Sequence, residues 1–352
     1  MLSAWTLSFL PAIQPKTIII YKGINFIKRS LNRLDGAIKL HYSRLIFIVK
    51  HRSLKNYLKS RFNSRVQRVT LEGGFTCPNI DGTKSVGGCT FCTEDGSSSG
   101  AQNATHTIRR QLEDGIAKQS KRFRCDKFIA YFQSFTNTYA DVAYLKSLYD
   151  QVVDHPQVVV LAVGTRPDCV SEQVIDLLES YTQRGLEIWV DIGVQTSHNQ
   201  TLEKINRAHS YEDFVDCAER IARRQNPLIR ICTHVIIGLP GESPEMIWQT
   251  AERLSQTPIH DLKIHQLCVL KGTAMEIDYL NGELSVYENM EDYIQVLTGF
   301  LARLRSDIVI QRLMGEGKVG ELVAPDWADT HRHKGNKNKF LNLFYCSYFW
   351  EK

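Results

Sequence analysis

The sequence has no long hydrophobic run. Its richest N-terminal stretches, Ile18–Tyr21 and Leu45–Val49, fall far short of the roughly 18 apolar residues that a membrane-spanning helix needs. Stable membrane insertion is therefore excluded, and the chain reads as a soluble, cytoplasmic protein. Residues 1–15 also lack the basic n-region expected of a secretory signal. Acidic residues are scarce in the N-terminal segment: residues 1–70 hold fourteen Lys or Arg against a single acid, Asp35. That segment carries +13, which leaves −8 on the rest of a chain whose net charge is +5. A basic arm ahead of a mildly acidic body suits contact with phosphate backbones or an anionic membrane surface. An organellar presequence, or an upstream start codon wrongly assigned, would look the same.

A disulfide framework is also lacking. Nine cysteines at irregular spacings in 352 residues do not pair into a scaffold. Six of them, Cys125, Cys169, Cys217, Cys232, Cys268 and Cys346, share no spacing and read as small buried apolar residues. The other three crowd into residues 77–92, which suggests metal binding in a reducing compartment.

From about residue 66, short β-branched runs alternate with helical patterns. The expected strands are Val66–Leu71, Phe128–Phe132, Val158–Val163, Glu187–Gly193, Ile229–Ile237 and Asp261–Val269. Expected helices lie near 105–122, 140–153, 171–184, 200–224, 244–255 and 287–305; the fifth opens on Ser243-Pro244, an N-cap followed by proline at the first helical position. Six strand–helix units imply an α/β fold with parallel strands, either a partial (β/α)6 TIM-type barrel or an open doubly wound sheet. In both, functional residues gather beyond the C-terminal strand ends. The expected organisation is a basic extension over 1–60, a core over 61–285 and a C-terminal helical and strand appendage over 286–352.

After the first strand comes Gly73-Gly74-Phe75-Thr76-Cys77-Pro78-Asn79, and then Gly87-Gly88-Cys89-Thr90-Phe91-Cys92. The ligand spacing is C-x11-C-x2-C. Three thiolates cannot complete a four-iron cubane, so one iron would be left open for an exogenous ligand. A structural zinc site is the alternative; it needs a fourth ligand, and without a second Cys-x2-Cys that ligand would be His209, His234 or His265.

These motifs, with Ala130–Tyr139, Gly164-Thr165-Arg166-Pro167-Asp168-Cys169, Gly193-Val194-Gln195-Thr196, Gly238-Leu239-Pro240-Gly241-Glu242 and Lys263-Ile264-His265, give a resemblance over about residues 55–325. The chain resembles the radical S-adenosylmethionine (SAM) superfamily, and within it the YhcC-like family. The resemblance implies a 4Fe-4S cluster on Cys77, Cys89 and Cys92, with S-adenosyl-L-methionine chelating the open iron. It also implies reductive cleavage of that cofactor to a 5′-deoxyadenosyl radical, fed by a reductant such as flavodoxin or ferredoxin. The Gln-x11-Arg spacing of Gln195 and Arg207 is similar to that of Elongator-type and coproporphyrinogen-oxidising enzymes, where the pair faces the ribose and the methionine carboxylate. A guanidinium suits a carboxylate through two parallel hydrogen bonds. His234 falls where relatives place a polar group near the ribose. In place of the superfamily's Gly-Gly-Glu-like element stands Gln133-Ser134-Phe135-Thr136, which makes Gln133 and Thr136 the candidates for the cofactor's amino group. Thr165, Arg166, Lys263 and His265 are polar strand-end residues open to substrate or acid–base roles, and His331 and His333 form a further polar pair in the tail. Elongator-type relatives modify wobble uridines of tRNA, which makes tRNA the expected substrate. A small metabolite is the alternative, and a non-catalytic metal-binding or electron-transfer protein the alternative of another class.

Overall fold

The computed structural model describes residues 51–96, 105–315, 320–329 and 335–347. Most of the basic arm (residues 1–50) and the His331/His333 pair lie outside the described residues.

All six expected strands form: β2 (Val66–Leu71), β3 (Lys127–Phe132), β4 (Val158–Thr165), β5 (Glu187–Gln195), β6 (Ile229–Ile237) and β7 (Asp261–Gln266). Two short strands extend the same sheet, β1 (Arg52–Ser53) and β9 (Val309–Arg312). The order is β1-β9-β7-β6-β5-β4-β3-β2, and every neighbouring pair is parallel. Every residue of β5 is buried, as expected of a strand covered on both faces. The expected strand over 261–269 stops at Gln266; β8 (Val269–Leu270) instead pairs antiparallel with β10 (Leu322–Ala324).

Side-chain contacts across the sheet decide between barrel and open sheet. Lys263 Nζ on β7 lies 3.4 Å from Tyr131 Oη on β3, and Arg68 on β2 donates to Gln311 on β9 at 3.2 Å. β2 and β9 are six strands apart, which in a flat sheet is about 29 Å at the usual strand spacing. The sheet must curl almost closed around a lumen.

Outside the sheet pack α2 (Ile108–Phe123), α3 (Val142–Val153), α4 (Glu172–Ser180), α6 (Tyr211–Ala222), α7 (Pro244–Ser255) and α8 (Met290–Arg303). They bury apolar faces such as Leu145, Tyr149 and Val152 of α3. Ser243 caps α7 and Pro244 opens it, as expected. The helix expected over 200–224 is broken into α5 (Asn199–Lys204) and α6, with Asn206 (φ 49°) and Ala208 (φ 53°) in left-handed backbone between them. α6 restarts on a capping box formed by Ser210 and Asp213.

α1 (Leu54–Phe62) closes the N-terminal end of the lumen. Its Tyr57 hydroxyl lies 2.8 Å from both oxygens of buried Glu187. Glu187 also takes Arg61 and, at 3.1 Å, the indole N–H of Trp189. Tyr57, Leu58, Ile129, Val160, Ala162 and Trp189 form the apolar plug beneath. Residues 52–60, placed by sequence with the basic extension, thus supply a strand and most of the helix that floors the barrel.

Candidate cofactor site at the C-terminal strand ends

The long insertion between Cys77 and Cys89 folds as a hairpin, with Asp81 bridged to Val86. Its glycines are used where needed: Gly82, Gly87 and Gly88 all have positive φ. One side chain straps the hairpin to the barrel. Asn206 Nδ2 donates to the carbonyls of Val86 (3.0 Å) and Gly88 (2.7 Å), and Asn206 Oδ1 accepts from Ser85 Oγ (2.9 Å). Cys77 and Cys89 are buried and Cys92 is half-buried.

Cys89 is the most elaborately held of the three thiols. Asn79 Nδ2 lies 3.5 Å and Arg207 Nη1 3.4 Å from its sulfur. Its pKa is pushed well below the ordinary thiol range, first by the hydrogen bond from Cys92 and then, against burial, by the Arg207 guanidinium. Cys92 moves the opposite way, because the pair shares its proton and is buried. A thiol held as thiolate among N–H donors is what a metal or iron–sulfur ligand requires.

Arg207 and Gln195 come together. Arg207, 7% exposed and outside any helix, donates through Nη2 to the Gly193 carbonyl at 2.6 Å. Gln195 ends β5 in left-handed backbone (φ 73°). A Cβ added to Gly193 would meet Arg207 Nη2 at 2.7 Å and Gln195 Nε2 at 2.8 Å, so both side chains converge over this glycine. Arg207 Nε is buried without a hydrogen-bond partner among the described residues.

Gln133 is half-buried beyond β3, its N–H bonded to Leu71 at 3.2 Å. The next two residues, Ser134 (φ 73°) and Phe135 (φ 58°), have the backbone that glycines normally supply. Thr136, itself buried, joins this turn to the cysteine loop by donating its N–H to Thr76 at 3.2 Å.

His234 stands beside Gly193 in the register of β6 on β5. Its Nε2 lies 3.5 Å from Asp191, and its ring stacks on His265 at 6.0 Å. Burial, then the nearby Lys263 ammonium, lowers its pKa to about 4, so it stays neutral. Lys263 is buried against Asp191 in the lumen. His209 is likewise held neutral, at about 3, by burial and by Arg207; its ring nitrogens face the carbonyls of Ser210 (3.0 Å) and Gly193 (3.3 Å). Of the histidines considered as a fourth zinc ligand, His209 thus turns both ring nitrogens to backbone carbonyls, and His234 and His265 stack on each other beside Asp191. Sequence reasoning missed Asn79 and Asn206. The only available signal for Asn206 was an asparagine just ahead of a capping box, where a helix pattern was expected to continue.

Comparison with known proteins settles the family. The radical SAM superfamily model matches residues 82–254, and the radical SAM C-terminal domain model matches residues 259–338. Protein YhcC of Escherichia coli K12 is 36% identical over 274 residues, covering 78% of this chain and 86% of YhcC. The chain belongs to the radical SAM superfamily. As a radical SAM enzyme it uses a 4Fe-4S cluster and S-adenosylmethionine and needs an electron donor. The tRNA uridine(34) acetyltransferase of Methanocaldococcus jannaschii is 26% identical over 144 residues, which is 40% of this chain and 25% of that protein. The archaeal Methanocaldococcus infernus Elp3 with an N-terminal deletion has the same fold (TM-score 0.56, 18% identity), covering 78% of this chain and 63% of that one. No helix among the described residues is long and apolar enough to cross a membrane.

Proposed function

We propose that Cys77, Cys89 and Cys92 hold the cluster, and that Arg207 and Gln195 receive the carboxylate and ribose of S-adenosylmethionine above Gly193. The observation that carries this reading is Arg207: one guanidinium touches a cysteine sulfur, crosses Gly193 beside Gln195, and keeps a buried Nε without a partner among the described residues. A carboxylate placed there satisfies the Nε and gains a paired hydrogen bond. The donor set fits a cluster, since Asn79 and Arg207 bring N–H groups to the Cys89 sulfur. His234, neutral and partly exposed, suits the ribose hydroxyls. Gln133, Thr136 and the backbone of the Ser134–Phe135 turn suit the amino group. When bound, cluster and cofactor supply reductive C–S cleavage and hydrogen abstraction; the protein's part is binding, orientation and exclusion of water.

For the substrate we propose a uridine of tRNA. Support comes from the uridine(34)-modifying relative, the Elp3-like fold and the +13 charge of residues 1–70. Flavodoxin or ferredoxin suits the reductant role. The test is anaerobic reconstitution, dithionite and S-adenosylmethionine, followed by tRNA from cells lacking the enzyme and nucleoside mass spectrometry. A new modified uridine is the expected result. Cofactor cleavage with no nucleoside change would move the substrate to a small metabolite. Replacing Cys77, Cys89 or Cys92 by Ala should abolish binding of about four irons; retained iron in all three variants would refute the ligand assignment.

A further inference from the structure

Arg166 is among the largest fully buried side chains, and it lies just past the end of β4. Its guanidinium donates from more than one edge. Toward Asp168 it is bidentate, Nε to Oδ1 at 3.0 Å and Nη2 to Oδ2 at 2.9 Å. Toward the α5–α6 loop it donates Nη1 to the carbonyl of Arg207 at 2.8 Å and Nη2 to that of Ala208 at 3.2 Å. Those carbonyls belong to the segment in which Asn206 and Ala208, on either side of Arg207, adopt left-handed backbone. Neither is glycine, and such a conformation persists only where the surroundings hold it.

We infer that Arg166 is a positioning residue: it holds the 206–208 backbone so that the Arg207 fork stays aimed across Gly193. Asp168 fixes Arg166, and Lys84 of the cysteine hairpin pairs with the same carboxylate at 2.6 Å. Hairpin, β4 end and Arg207 loop are thereby tied at one buried guanidinium. A lysine at 166 keeps the charge and the Asp168 pair, but a single ammonium cannot reach two carbonyls and a carboxylate in that planar arrangement.

The inference rests on the carboxylate reading of Arg207, and the experiment separates the two. On reconstituted holoenzyme, S-adenosylmethionine affinity, iron content and melting temperature are measured for Arg166→Lys, Arg207→Lys and the double variant. Expected are about four irons in each, Kd raised about tenfold by either single change, and a double variant little weaker than Arg207→Lys alone, because both act through one fork. A residue that merely stabilises the fold would instead multiply its effect into the double variant. Multiplying effects, lost iron, or an unchanged Kd in Arg166→Lys beside a weakened Arg207→Lys would overturn the positioning role. An unchanged Kd in Arg207→Lys would overturn the carboxylate reading itself. Should Arg166→Lys fail to fold, Asp168→Asn decides the question, with a smaller Kd rise that is likewise lost in the Arg207→Lys background.

Discussion

Gly193→Ala perturbs the cofactor site through a single methyl group. Gly193 sits in extended strand, registered against His234, so alanine meets no backbone penalty there. The added Cβ would lie 2.7 Å from Arg207 Nη2 and 2.8 Å from Gln195 Nε2, against about 3.4 Å for an ordinary contact. Both side chains must retreat by roughly 0.7 Å, and both neighbours are ends of flexible side chains, so the fold tolerates it. What is lost is alignment: Arg207 gives up its 2.6 Å bond to the Gly193 carbonyl and its aim at the carboxylate. A charge-assisted hydrogen bond contributes about 1.5–3 kcal/mol, so S-adenosylmethionine should bind roughly ten- to hundredfold more weakly. Anaerobic equilibrium dialysis on reconstituted protein measures this, with iron content and melting temperature as controls. An unchanged Kd with intact iron would refute the convergence of Arg207 and Gln195 on the cofactor.

Glu187→Gln should destabilise the floor of the barrel by about 2 kcal/mol, lowering the melting temperature by about 5 °C without altering cofactor affinity, since Glu187 is 1% exposed and lies at the far end of β5; a weakened cofactor site at unchanged melting temperature would contradict it. Deleting residues 1–50 should weaken tRNA binding and flatten its salt dependence, whereas deletion to residue 62 should also lower the melting temperature because it removes β1 and α1. Equal salt slopes for full-length and Δ1–50 protein would remove the arm from the interface. Burial opposes ionisation of Asp168, yet the Arg166 guanidinium lowers its pKa from 3.8 to about 2. The folded state therefore binds fewer protons than the unfolded one between those values, and about 2 kcal/mol of stability is present above pH 4 and lost as pH falls through 2. The urea-midpoint gap between wild type and Asp168→Asn should be constant from pH 7 to 5 and narrow only below about 4; narrowing already at pH 6 would assign the effect to another group.

The six long strands were legible because most are runs rich in β-branched or aromatic residues bounded by turn residues. β2 and β6 end where the sequence places them. β1 and β9 were not, since two and four residues carry no periodicity and exist only through pairing with each other and with β7. The cysteine spacing announced a loop of ligands but not its hairpin, whose strap, Asn206, is contributed from more than a hundred residues away. Arg207 was legible as a type at a spacing. Its burial depends on a helix break that local propensity does not reveal. Lys263 looked like a strand-end residue, yet it faces Asp191 inside the lumen, because curling of the sheet brings β7 within reach of β3.

The pairing of β1 with β9 has a consequence for how the chain is made. Arg52 and Ser53 emerge from the ribosome more than 250 residues ahead of their partners Val309 and Ile310. Until then one margin of the sheet offers unpaired N–H and C=O groups on β7, a surface on which other nascent chains can add strands. Topology of this kind also slows folding, because the most distant contact closes last. In a cell, maturation of this protein, including loading of its iron–sulfur cofactor, competes with aggregation during that interval.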